Sequence, residues 1–156
     1  MAAFSFSCIS FTTLETSRPF TLKPTTILRL PSSLLICAGP SLKEMLISRE
    51  QSGTTGIGNG IAIPHVKHPV IFAGLAPVIG LFFLETPVDF AALDGERVHT
   101  LFVILSGSFK GHLSLLSKLA FCLQNESVKA ALDRRTNPEE ILATFQVAEA
   151  KTVKAS

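Results

Sequence analysis

Four glycines fall within eight positions, at Gly53, Gly56, Gly58 and Gly60, and no other stretch of the 156 residues constrains the backbone as tightly. Glycine lets a chain turn sharply and lets its backbone amides approach a ligand without a side chain in the way. Such a density reads as a loop lying close against something. The loop feeds a short apolar strand, Ile61-Ala62-Ile63, which stops at Pro64 and presents His65. A neutral imidazole at the end of a rigid strand is a good nucleophile when something orients it. With Arg49 just ahead of the loop, the combination suggests phosphoryl chemistry at the histidine. The plainer alternative, a glycine-rich turn that only joins two elements, stands beside it.

Two nucleotide-binding loops are excluded by spacing. A dinucleotide fingerprint needs G-x-G-x-x-G after a strand and opening a helix. Here Gly56, Gly58 and Gly60 are spaced by twos and an apolar strand follows. A phosphate-binding loop of the Walker type needs a glycine followed by lysine, which this segment lacks.

The longer string Arg49-Glu50-Gln51-Ser52-Gly53-Thr54-Thr55-Gly56-Ile57-Gly58-Asn59-Gly60-Ile61-Ala62-Ile63-Pro64-His65 resembles enzyme IIA of the bacterial phosphoenolpyruvate phosphotransferase system, in its fructose/mannitol and nitrogen-regulatory branch. Pro87-Val88-Asp89-Phe90, Leu93-Asp94-Gly95-Glu96-Arg97-Val98 and His112-Leu113 match in order, so the resemblance covers residues 42 to 146. It implies an α/β fold with a mixed sheet flanked by helices on both faces, and a phosphocarrier that uses no cofactor. It makes His65 the phosphorylated residue, taking its phosphoryl group from the carrier protein HPr. It places Arg49 beside His65 and His112 across the pocket from it. A IIB domain or a regulatory protein is the implied acceptor. Two departures stand out: Val66 follows the histidine where the family usually has glycine, and of two helices expected before the arginine only the end of the second is recognisable.

The residue types suit those roles. Phosphoryl transfer depends on in-line positioning and charge stabilisation. An imidazole with a pKa of about 6.5 is largely neutral at cellular pH. The planar guanidinium of Arg49 offers paired donors to phosphate oxygens, although it also suits a helix C-terminus, where it complements the dipole. His112 opens an amphipathic run and gains a favourable field for anions from a helix N-terminus; alternatively it caps the helix or faces water. Amides around Gly58, Asn59 and Gly60 are candidate phosphate-binding groups. His65 and His68 stand three apart, but no carboxylate or cysteine joins them at ligand spacing and Pro69 opposes a helix, so no metal is expected. His99 reads as a surface or sheet residue.

Composition bounds the rest. At 47% hydrophobic and 17% charged residues the chain is apolar-rich yet compatible with a globular α/β domain. Residues 1–40 carry twelve Ser or Thr, four prolines and a charge balance of +2, whereas the remainder has eleven basic and eleven acidic residues. With no basic stripe, no tryptophan and no tyrosine, nucleic acid is not an expected partner. Cys8, Cys37 and Cys122 are odd in number and far apart, which suits reduced thiols in a cytoplasm. The chain divides into an atypical, poorly ordered leader at 1–40, a domain at 41–150 and a tail at 151–156. The leader reads equally as a targeting segment, a replaced N-terminus or a start assigned too far upstream.

Within the domain, Ser41-Leu42-Lys43-Glu44 is a capping box for a short helix ending near Arg49. Val70 to Leu84 is an uncharged run broken by Gly74, Pro77 and Gly80, too short to span a bilayer, and it predicts one or two buried strands. Asp94-Gly95 marks a turn and Val98 to Leu105 the next strand. A helix from Leu113 to Leu123 is expected to pack residues 113, 116, 119, 120 and 123, with Cys122 in the core. A last helix begins at Asn137-Pro138-Glu139-Glu140, with cap, proline and acids in order. The resemblance implies a cytoplasmic phosphocarrier serving nitrogen-regulatory signalling or sugar phosphotransfer, the first preferred because no IIB or membrane IIC segment is fused and the glycine loop looks closest to that branch. The alternative is a regulatory protein-binding module that keeps the fold without turning over phosphate.

Overall fold

A computed structural model describes residues 12–17, 21–25, 42–67 and 78–153. Cys8, Cys37, Ser41, His68 and the first part of the 70–84 run lie outside the described residues, and so do the expectations attached to them. Strands β1 (Thr12–Ser17) and β2 (Thr21–Thr25) precede helix α1 (Leu42–Gln51), and β3 (Gly56–Gly58) and β4 (Ile61–Ala62) follow it. Then come β5 (Val78–Val88), β6 (Val98–Leu105), α2 (Phe109–Cys122), α3 (Glu126–Asp133) and α4 (Pro138–Val153). The sheet order is β2-β1-β5-β6-β4-β3. The hairpin β1–β2, drawn from the segment read as a leader, pairs on the β5 edge. Among the described residues only the strands β4 and β6 pair in parallel; the other strand pairs are antiparallel, so the sheet is mixed, as expected.

Strand β6 is apolar along nearly its whole length because both faces of the sheet are covered. Phe102 and Ile104 join Ile61, Ile63, Ile79 and Leu81 in a core roofed by α2, α3 and α4. On the opposite face Leu105 packs with Val66 and the α1 residue Leu42, against Met45 and Leu46, and Leu101 packs with Ala62, Phe82, Phe90 and Val98. Val66, where glycine was anticipated, is therefore a core residue, 2% exposed.

Strand β5 extends to Val88, beyond the run read from sequence, and its pairing shifts between Phe83 and Val88. A bulged strand end accepts polar residues and proline because its amides are released from the ladder, which is why Glu85, Thr86 and Pro87 are exposed there. Helix α2 starts at Phe109, earlier than the apolar spacing indicated, because Ser108 caps it with a side-chain oxygen that accepts from the Gly111 amide. Its buried residues are His112, Leu115, Leu119 and Cys122, whereas Leu113 and Ala120 are exposed. Helix α3 was not anticipated; Asn125 caps it, and Val128, Ala131 and Leu132 face the core. Helix α4 begins as expected, with the Asn137 side chain accepting from the Glu140 amide at 2.8 Å. Cys122 is core, and burial, then the Glu149 charge, push its thiol up to about 11, with Lys118 opposing.

Candidate functional site

The Gly53–Gly60 loop brings β4 alongside β6 so that Ile61 pairs with Thr100 and Ala62 with Leu101. The parallel register continues past Pro64: the Pro64 carbonyl accepts from the Ile104 amide at 3.2 Å, and His65 bridges Ile104. A proline ends the strand without losing this contact, since only its missing N–H is taken from the ladder. His65 thus sits, half-buried, at the carboxyl end of two parallel strands.

Two hydrogen bonds define its protonation. The ring Nδ1 lies 2.8 Å from the Ile63 carbonyl, which can only accept, so Nδ1 carries the proton. Arg49 Nε, which can only donate, points at Nε2 from 3.3 Å. Both partners select the same neutral tautomer, with the lone pair on Nε2. Arg49 stands in the last turn of α1, and its Nη1 donates to the Gly53 carbonyl at 2.9 Å, leaving further guanidinium donors for an anion.

His112 lies one turn into α2, 5% exposed, with its ring centroid 5.2 Å from that of His65. Its Nδ1 is buried without a partner among the described residues. A buried donor without an acceptor costs about 1–3 kcal/mol, so the neutral ring keeps its proton on Nε2. Burial, and secondarily the neighbouring His65, hold the His112 pKa below its usual value. The pair is complementary: one imidazole offers an Nε2 lone pair, the other an Nε2–H. The turn that delivers His112 is set by Ser106, fully buried, whose hydroxyl donates to the Ser108 carbonyl at 3.1 Å and accepts from the Ser108 amide at 3.3 Å.

Arg49, His65 and His112 are therefore brought together. Gly58, Asn59 and Gly60 are not. Their tip sits beside His99 and Thr100, whose amides both bond the Gly60 carbonyl, whereas His65 sits beside Ile104. Four residues along a strand separate the two places by about 13 Å. The Asn59 amide is also already committed, donating to the Asp94 carboxylate at 2.8 Å. That bond and one from the Glu96 amide hold the Asp94 carboxyl below its usual pKa. An anion already occupies the place expected for phosphate. The glycines serve geometry instead: Gly58, Asn59 and Gly60 all have positive φ, at 91°, 52° and 66°.

Sequence reasoning missed Glu50 and Thr55. The Glu50 carboxylate accepts from the Thr55 amide at 2.8 Å and from its hydroxyl at 2.5 Å. Adjacency to Arg49 was the available signal. Among the described residues no group of three or more His, Cys, Asp or Glu is arranged to hold a metal ion, and no helix is long and apolar enough to cross a membrane.

Residues 30–147 match a family model described as phosphoenolpyruvate-dependent sugar phosphotransferase system, EIIA 2. The nitrogen regulatory protein of Pseudomonas aeruginosa is 39% identical over 106 residues, 67% of this chain and 65% of that protein. The fructose-specific EIIABC component of Bacillus subtilis is 34% identical over 102 residues, 64% of this chain and 16% of that one. The crystal structure of nitrogen regulatory protein IIA-Ntr from Neisseria meningitidis is similar at 35% identity with a TM-score of 0.56, covering 65% of this chain and 69% of that one. This chain spans a little under two thirds of the length of its regulatory relatives, 65% and 66% for two of them.

Proposed function

Because the chain belongs to the EIIA 2 family of the phosphoenolpyruvate-dependent sugar phosphotransferase system, we propose that it is a histidine phosphocarrier that receives a phosphoryl group from phosphorylated HPr on Nε2 of His65. The observation that carries this is the tautomer: the Ile63 carbonyl holds Nδ1–H, so the lone pair is directed from Nε2. In the transfer, the Nε2 pair forms the new phosphorus–nitrogen bond. The donor's ring nitrogen leaves with the electrons of the bond that breaks.

Arg49 has to release Nε2 before attack, and its guanidinium then meets the phosphoryl oxygens that arrive there. The Nε2–H of His112 supplies a second, uncharged donor. Phe109 and Leu113, exposed at 63% and 45% one turn apart around His112, offer apolar surface for the donor or acceptor protein. The acceptor is a IIB domain or a regulatory protein; similarity to nitrogen regulatory proteins favours regulation, in the cytoplasm where HPr resides.

Incubation with phosphorylated HPr is expected to give an acid-labile, base-stable phosphate on the wild-type protein and none on His65→Ala. Arg49→Gln is expected to slow labelling by about 100-fold to 1,000-fold, the usual cost of one charge-stabilising donor. Labelling of His65→Ala at the wild-type rate would refute the assignment.

A further inference from the structure

Glu50 neither touches His65 nor carries a role in the transfer just described, yet two chains of hydrogen bonds lead from it to both nitrogens of that ring. In the first, its carboxylate grips the amide and hydroxyl of Thr55, a residue only 5% exposed. The Thr55 carbonyl accepts from the Ile63 amide at 3.0 Å, and the Ile63 carbonyl accepts from His65 Nδ1. In the second, the Glu50 carbonyl accepts from the Gly53 amide at 3.1 Å, and the Gly53 carbonyl accepts from Arg49 Nη1, whose Nε points at His65 Nε2.

We propose that Glu50 is a positioning residue for the phosphoryl-accepting histidine, its carboxylate closing the 50–55 loop so that the Ile63 and Gly53 carbonyls lock the His65 tautomer and the Arg49 guanidinium. Both carboxylate oxygens are occupied by Thr55, so the group acts as an acceptor pair and not as a base. Thr55 is its partner in the same role. Without the clamp, the loop loses the bond that fixes where Thr55 meets Ile63, and the imidazole is free to exchange its Nδ1–H for Nε2–H. The Nε2–H form has no lone pair facing the donor. This inference rests on His65 as the phosphorylated residue, but its first readout does not.

The test is isotope-edited NMR of the imidazole nitrogens in the unphosphorylated full chain, for wild type, Glu50→Ala, Glu50→Gln and Thr55→Val, followed by labelling from phosphorylated HPr. Wild type is expected to show a single Nδ1–H tautomer at His65, and Glu50→Ala a mixture. Labelling of Glu50→Ala is expected to fall by about 10-fold to 100-fold, the scale of a small misplacement at a reacting group. Glu50→Gln, whose amide oxygen still accepts from the Thr55 amide and whose NH2 reaches the hydroxyl, is expected to restore the wild-type tautomer. Thr55→Val keeps the side-chain shape and shifts the tautomer in the same direction by less, which preserves the test if Glu50→Ala does not fold. An unchanged Nδ1–H tautomer in both Glu50→Ala and Thr55→Val would overturn the proposal. Wild type that is never labelled would instead remove the phosphocarrier assignment and leave the tautomer result standing.

Discussion

His112 meets its neighbours as a neutral ring, and its stability cost appears on acidification. Protonating it would place a second N–H on the buried, unpartnered Nδ1. Its folded pKa is depressed, first by burial and then by its neighbour His65. The unfolded chain therefore takes up this proton more readily, so folding loses stability as pH falls below about 6.5 and gains none above it. Wild type is expected to lose more of its urea midpoint than His112→Gln between about pH 7.5 and about pH 5.5. Equal losses in the two proteins would mean that the ring is charged when folded. At this scale the sequence was legible where a motif named a residue: His65, Arg49 and His112 do converge. It was illegible at Glu50 and Thr55, whose partners are set by loop closure and Ile63 and not by spacing. It misled at Asn59, because nothing in the local string announces that Asp94, 35 residues on, takes that amide.

Element boundaries show the same division. Strand β6 and the start of α4 were readable, the first from a Val/Ile/Leu run and the second from an Asn cap followed by proline. Helix α2 was misread because a polar residue, His112, holds a core-facing position and interrupts the apolar stripe. Functional sites are where local pattern and fold disagree. The tip of the glycine loop, a candidate phosphate site beside the plainer reading of a turn, lies against His99 with its backbone at positive φ. Gly60 has φ of 66°, and a Cβ there would overlap the His99 ring, which Thr100 holds by a 2.9 Å hydrogen bond. Gly60→Ala is therefore expected to destabilise the fold by about 1–2 kcal/mol or more. At a temperature where the variant is fully folded, its His65 tautomer and labelling rate should match wild type. A selective loss of labelling would return the tip to the site.

On the scale of the whole molecule, the site depends on a sheet covered from both sides. The α/β class and the two helical layers were available from the family resemblance. The layer to which each helix belongs required coordinates: Leu42, Met45 and Leu46 mark one apolar face of α1, but nothing in the string says which side of the sheet that face meets. His65 pairs with Ile104 of β6 but is oriented by the Ile63 carbonyl and Arg49; β6 itself is anchored by Phe102. That ring is fully buried and meets Phe145 of α4 edge-on, with centroids 5.8 Å apart. Phe102→Ala removes the aromatic contact and opens a cavity between sheet and helices, at an expected cost of about 3–5 kcal/mol in denaturant unfolding. Because Phe102 lies on the α2–α4 face and Arg49 reaches His65 from α1, the fraction that remains folded should keep its Arg49–His65 hydrogen bond. Measured at low temperature, its His65 nitrogen resonances should stay at wild-type positions while the unfolding midpoint falls. A shift of both together would mean that the imidazole is held by the core as a whole and not by the loop that leads into it.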